Sequence, residues 1–502
     1  MKPMKIAALT MAVLLLLAGC KAEPGEGVSI QLSDAGVKVN GKAVSTNANS
    51  AVHTANDIVY YESGKDFTYG EGTEADAHTA REAAAHTVVH ITKPGTYNVS
   101  GKLSRGQIAV DLGEDAGDDP NAVVTLVLNG VDISCRVAPA VIFYNVYECA
   151  DRDAPKRDVD TTAAGANVVI ADGTENNIAG SYVARIYKPG SVVLNKEGTK
   201  VKDSKKLHKY DGAFYSKMSM NVSGGKDGTG VLNIRAENEG LDSEMHLTLN
   251  GGNVNIFSGN DGINTNEDGV SVTTINGGRL HIRVTGESGE GDGIDSNGWL
   301  VIRGGEVIAE ACSHSADAGI DSDMGIHIYG GTVIATGSML DRIEGGGQTY
   351  AVFTFQQKQS GADTVTLKHE SGKTVMEHCP QNEWSILVYS SADLKAGGYT
   401  LWSGGQQMAG QGGMAGGPGM RPEGMTPPGG FDRHPEGFTP PEGVVPPQGE
   451  RPEEDRPPVG EMPPEHPEGP GGKPSFEGGA AGERSDVFVI ADGANMFGAI
   501  AP

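Results

Sequence analysis

Positive charge is in short supply. Lys and Arg number 39 against 65 Asp and Glu, a net charge of −26, so nucleic acid and anionic membrane surfaces are repelled and excluded as partners, and cations are the expected counterparts. Aromatic residues make up only 6%, so any large core must be built from aliphatic side chains. Cysteine is scarce as well. With Cys20 set aside, Cys135, Cys149, Cys312 and Cys379 lack the C-x-x-C pairs of a structural zinc site. Cys135 with Cys149 is the favoured disulfide if neighbouring strands bring the two together, and free thiols are the alternative. No long helical periodicity occurs. Beyond the N-terminus no run approaches the roughly 20 apolar residues that a membrane-spanning helix needs.

The chain opens MKPMKIAALTMAVLLLLAGCKAEPG, with Lys2 and Lys5 before an apolar run too short to span a bilayer and ending in small residues, the pattern of a secretion signal. Leu17, Ala18, Gly19 and Cys20 resemble the lipobox of bacterial lipoproteins, which implies cleavage after residue 19 and acylation of Cys20. The expected location is therefore outside the cell, held to the membrane by an N-terminal lipid alone. Residues 20–56 read as the lipidated cysteine and a polar tether.

Glycine is abundant, 74 of 502 residues. From residue 57 short alternating runs such as IAVDL, VVTLVLNGVDIS and NVVIADG end in Gly, Asn or Asp, which marks strands joined by tight turns. Double glycines recur at Gly251-Gly252, Gly277-Gly278, Gly304-Gly305 and Gly330-Gly331, spaced by 26, 27 and 26 residues and flanked alike: LTLNGGNVNI, TTINGGRLHI, LVIRGGEVIA, IHIYGGTVIA. A fixed period in this range signals a solenoid. At about 3.3 Å per residue, 26 extended residues trace roughly 85 Å, one coil of three short strands around a core. Leu247, Leu249, Val254 and Ile256 are expected to point inward. The fold class expected over 57–403 is all-β, a parallel β-helix of on the order of ten rungs. Residues 404–484, rich in Pro, Gly and Glu, read as a disordered insertion, and 485–502 as a terminal strand.

A second motif repeats within this period: EGLDSE, DGINTN, DGIDSN and AGIDSD. Stacked rungs place Asp242, Asn264, Asp295 and Asp321 in one column on the outside of a turn, beside a second column of Asp211, Glu239, Asp261 and Asp292, with Asp317 shifted by one. Carboxylates about 4.8 Å apart repel by roughly 3 to 4 kcal/mol at an effective dielectric of about 20. Asn substitution, raised carboxyl pKa values or a hard cation relieve this, and Ca2+ accepts carboxylate, amide and carbonyl oxygens together. The candidate calcium ligands are Asp242, Asp261, Asn264, Asp268, Asp292, Asp295, Asp317 and Asp321. The alternative is that these acids only cap turns.

With these steps in place, the sequence resembles a family of secreted bacterial carbohydrate-binding proteins that fold as right-handed parallel β-helices. The likeness runs through ITKPGTYNVSGKLSRGQIAVDLGE, VVTLVLNGVDIS, NVVIADGTENNIAGS, DGAFYSKMSMNVSGGKDGTGVLNIRA and the repeats. It covers roughly residues 57–403. It implies a fold like that of polysaccharide lyases, bound calcium, and binding of cellulose or of acidic sugars such as polygalacturonate without cleavage.

The expected function is a non-catalytic, lipid-anchored, calcium-dependent polysaccharide-binding protein directed at acidic or plant cell-wall glycans, with a calcium of the acidic column reaching a sugar carboxylate. Arg279, Arg283 and Arg303 face outward and can hold carboxylates, and Trp299 and Tyr329 can stack on sugar rings. Two alternatives stand beside it: a pectate-type lyase using one of these arginines as base, and a structural surface or envelope protein.

Overall fold

In a computed structural model, residues 27–411 and 484–500 are described. The chain is all-β, with one helix, Ala80–Ala84, and a short 3-10 turn at Glu114–Asp118 among the described residues. Strands recur in triplets, and equivalent strands of successive triplets pair in parallel to give three ladders. The first ladder holds Gly212–Ser216, Glu239–Ser243, Ile263–Thr265 and Ile294–Ser296. Met220–Gly224, Leu247–Leu249, Val272–Ile275, Trp299–Ile302 and Gly325–Ile328 form the second. The third holds Glu175–Gly180, Val231–Ala236, Asn253–Ser258, Arg279–Val284, Glu306–Glu310 and Thr332–Gly337. Register follows the sequence period: Thr248 lies beside Thr274, Thr274 beside Val301, and Val301 beside His327.

Each letter of the repeated motif has a physical task. The glycine is required by spacing: a Cβ at Gly262 would run into Ile282 and the Gly293 carbonyl oxygen, and one at Gly293 into the Gly319 carbonyl oxygen. The aliphatic residue, Leu241, Ile263 or Ile294, joins the core, where it meets Leu247, Leu249, Val254 and Ile256 as expected. The hydroxyl turns inward and binds the corner between the first and second ladders: Ser296 Oγ donates to the Trp299 carbonyl at 3.0 Å and Ser322 Oγ to the Gly298 carbonyl at 2.8 Å. The second glycine of each double glycine sits at φ between +85° and +87°, a backbone that only glycine adopts without strain, and this turns the chain from the second ladder into the third.

Three sequence expectations on organisation need correction. Residues 28–55, read as tether, carry four short strands. Val28–Leu32 pairs in parallel with Gly95–Leu103 and buries Ile30 and Leu32 against the same core. The three-ladder pattern ends before residue 350. From there Tyr350–Gln359, Val365–His369, Trp384–Ser390 and Gly397–Ser403 pair antiparallel around a separate core of Phe353, Phe355, Leu367, Trp384 and Tyr389, where aromatic packing replaces the aliphatic columns. This module continues the third ladder, because Trp384–Ser390 pairs antiparallel with Thr332–Gly337. The region expected as an insertion from 404 begins with strands Gln406–Gln407 and Ala409–Gln411, while residues 412–483 lie outside the described residues, and the segment expected as one terminal strand contributes two, Phe488–Ile490 and the longer Ala494–Ile500.

All four cysteines among the described residues are free, so the favoured Cys135–Cys149 disulfide is absent. Burial pushes both thiols up to about 12. The segment expected to be a secretion signal, and Cys20 with its expected lipid, also lie outside the described residues.

Candidate functional site

The acidic column forms on the outer side of the first ladder. Asp242, Asn264 and Asp295 are direct register partners, and a bridge between Ile294 and Ile320 carries the column on to Asp321. The neighbouring column is stitched through backbone: Gly240 N donates to the Asp261 carbonyl and Gly262 N to the Asp292 carbonyl, both at 3.0 Å.

The column is not open to solvent along its length. An antiparallel hairpin, Val183–Tyr187 with Lys206–Tyr210, leads directly into the first-ladder strand Gly212–Ser216, which pairs on its other side with Val141–Asn145. It packs through Tyr210 on Tyr144 and Tyr215, and Lys206 reaches Glu244 at 3.1 Å. Asp242 and Glu239 are consequently buried. The expected solvent-facing column is therefore corrected at this end, because a non-repeated insertion covers it.

Two carboxylate clusters result. In one, Asp211, Glu239 and Asp242 each place an oxygen within 4.8 Å of the others; in the second, Asp292, Asp295 and Asp321 do the same and are half-buried. Asn266 Nδ2 donates to Asp242 Oδ1 at 2.6 Å and Asn264 Nδ2 to Glu239 Oε1 at 3.1 Å. Yet Asp242 Oδ2, Glu239 Oε2 and Asn264 Oδ1 are buried with no hydrogen-bond partner. Burial first, and the neighbouring acids second, push the Glu239 carboxyl up to about 8, Asp242 well above the usual carboxyl range, and Asp321 up to about 8. An all-oxygen donor set with orphaned buried oxygens and unfavourably stacked charge fits a hard cation, and offers nothing to a thiolate- or imidazole-seeking metal.

The eight expected ligands separate accordingly. Asp242, with Asn264 beside it, belongs to the buried cluster, and Asp292, Asp295 and Asp321 make the half-exposed one. Asp261 accepts from Asp292 N at 2.7 Å and Asp317 from Gly291 N at 2.9 Å, each holding the backbone of a neighbouring rung as Asp292 itself does for Ala318 N at 2.6 Å, and neither belongs to a cluster. Asp268 is exposed on a loop, where it accepts from Asn297 Nδ2, and belongs to neither cluster. Asp211 and Glu239, which complete the buried cluster, were visible in the sequence only as members of the second column.

The five expected sugar contacts do not converge. Arg303 pairs with Asp158 at 2.7 Å and lies over Tyr329, which also receives Arg157. Arg279 pairs with Glu306 at 2.7 Å, and Trp299 opens a second-ladder strand, half-buried. Arg283 alone enters a groove of about 570 Å³ on the outer face of the third ladder, together with Asn177, Asn233, Arg235, Asn255, Phe257 and His281. None of the three arginines stands on the first ladder with the acids, the juxtaposition that a calcium-assisted lyase needs.

A family model for carbohydrate-binding domain-containing proteins matches residues 85–377. The chain belongs to this carbohydrate-binding family. The matched span includes both acidic clusters and nearly the whole of the groove. No curated protein sequence matches the chain. A solved structure of a polysaccharide lyase-like protein from C. thermocellum, in a gadolinium derivative, aligns at 19% identity over 61% of this chain and 92% of that one with a TM-score of 0.33, a similarity too low to transfer anything between the two.

Proposed function

We propose that this carbohydrate-binding chain is a non-catalytic, calcium-dependent polysaccharide-binding protein, held outside the cell by a lipid on Cys20, with its ladders wound as a right-handed parallel β-helix. Three parallel ladders in a repeat of about 26 residues around one aliphatic core support the winding. The observation that carries the calcium reading is the pair of buried, unpartnered oxygens of Glu239 and Asp242 beside Asp211. Calcium there neutralises carboxylates that otherwise repel one another out of water. Asp211, Glu239 and Asp242, with Asn264 Oδ1, would hold it. The hairpin cover makes this a stabilising position, so contact between a cation and a sugar carboxylate is confined to the half-exposed Asp292, Asp295 and Asp321.

A glycan array probed with the mature protein in calcium and in chelator tests the proposal. The expected result is binding to polysaccharides that chelator abolishes. Binding indifferent to chelator would overturn the calcium part, and unsaturated product absorbance on a uronan would overturn the non-catalytic part. The anchor has its own test: Cys20→Ser is expected to release the protein into the medium, and retention on the membrane would contradict it.

A further inference from the structure

The groove on the third ladder has a chemistry that the acidic column does not. Its floor is two outward-facing rows set by strand register. One row runs Asn177, Asn233, Asn255, His281; the other runs Ala179, Arg235, Phe257, Arg283. Asn255 Nδ2 donates to Asn233 Oδ1 at 2.8 Å and Asn233 Nδ2 to Asn177 Oδ1 at 2.9 Å. Such a chain fixes the amides side by side, and each amide has further hydrogen-bonding capacity for an approaching hydroxyl. Beside it, the guanidinium carbons of Arg235 and Arg283 lie 4.6 and 5.6 Å from the centre of the Phe257 ring, so that one aromatic ring carries a cation from each neighbouring strand.

Charge decides what fits. In a chain of −26, Arg235 and Arg283 have no ion-pair partner among the described residues, and the hydrogen bond from Arg283 goes to the neutral Asn382 Oδ1. Of the acids that line the groove, Asp132 pairs with Lys102 at 2.7 Å. Glu310, the register neighbour of Arg283, has its oxygens taken by Gln381 N, Asn382 N and His378 Nε2 and keeps its charge. Two guanidiniums against one such carboxylate leave the groove a local positive excess on an anionic molecule. It stops where the C-terminal module covers the next residues of the amide row, Ile308 and Ile334. From the strand of Asp132 to that of His281 lie four strand spacings, about 19 Å, or about one pyranose ring per strand.

We propose that this groove binds a glycan chain bearing carboxylate groups, with a sugar ring against Phe257, its carboxylate held by Arg235 and Arg283, and its hydroxyls read by the asparagine row. The proposal rests on the polysaccharide-binding reading and adds the place and the chemistry of the contact. Guanidinium forks match carboxylates, and the stacking on Phe257 orients them without neutralising them.

The test uses short oligosaccharides of galacturonate, glucuronate and mannuronate, each beside its carboxyl-reduced counterpart, titrated calorimetrically into the mature protein in calcium. At least one uronate is expected to bind at least tenfold more tightly than its reduced form. Arg235→Gln and Arg283→Gln, checked for unchanged melting temperature, are each expected to weaken that uronate on the order of tenfold and to leave the reduced form within about twofold. Arg235 is exposed, so its substitution leaves the core untouched and serves if Arg283→Gln melts early. Equal loss for both forms, or no loss in Arg235→Gln, overturns the groove while leaving polysaccharide binding in place. Preference for the reduced forms overturns the carboxylate chemistry. Binding to no uronate, no reduced form and no glycan on the array removes the polysaccharide reading and the groove with it.

Discussion

His246 is buried, and burial pushes its imidazole down from 6.5 to about 4. A depressed imidazole contributes stability that is present above 6.5 and is lost as pH falls toward 4, up to about 3 kcal/mol for this shift. Urea unfolding of His246→Gln against the parent between pH 7 and 4 is expected to show a flatter acid limb in the variant; equal slopes would contradict it. Asp242 and Glu239 work in the opposite sense. Their carboxyls are raised, so without calcium the unfolded chain ionises first and stability falls as pH rises from the ordinary carboxyl range to about 8. Above pH 6.5 the His246 effect is complete, and a fall in stability there in chelator, removed by calcium, isolates the acids. At this scale the acids were legible because Asp, Asn and Gly recur in register. Their burial was not, because Lys209, which pairs with Asp211 of the buried cluster at 3.0 Å, and Lys206 and Tyr210 beside it lie in a hairpin outside the repeat.

Among the elements, the repeated turn is the most sharply determined. Gly262→Ala places a methyl against Ile282 and the Gly293 carbonyl oxygen, and prying two ladder strands apart is expected to cost about 1 to 3 kcal/mol. A melting temperature equal to the parent's would mean that the strands there are looser than drawn. The period and the inward phase were readable because Leu247, Leu249, Val254 and Ile256 alternate with polar residues. The outward phase carried information too: NGGNVNIF set over NGGRLHIR places Asn255 above His281 and Phe257 above Arg283, the register found in the groove. Arg235 and Asn233 follow an earlier double glycine, Gly224-Gly225, but five residues stand between that pair and their strand, so alignment on the four evenly spaced copies passes over them. The antiparallel module was hidden for a different reason. Its strands alternate as the ladder strands do, and period two does not distinguish parallel from antiparallel pairing.

For the whole molecule, the segment 412–483 leaves and re-enters at one place, since Gln411 and Arg484 are register partners in an antiparallel pair. Replacing it with a short Gly-Ser linker is expected to leave the melting temperature and glycan binding unchanged; a large drop in either would assign the segment a part in the fold or the site. The module on which it is mounted buries Ile308 and Ile334 of the third ladder, so truncation before residue 350 is expected to expose them and to reduce soluble yield.

The binding face, the clusters and the core share the same stacked strands, so a cation that quiets the acidic column stabilises the entire stack. Thermal unfolding of the mature protein in calcium and in chelator, beside Asp242→Asn, measures this most directly. In calcium at about 100 times its dissociation constant the parent is expected to gain about 2.7 kcal/mol over chelator, with Asp242→Asn gaining much less and equalling or exceeding the parent in chelator. A parent melting temperature that does not move with calcium would contradict the cation assignment and the calcium dependence built on it.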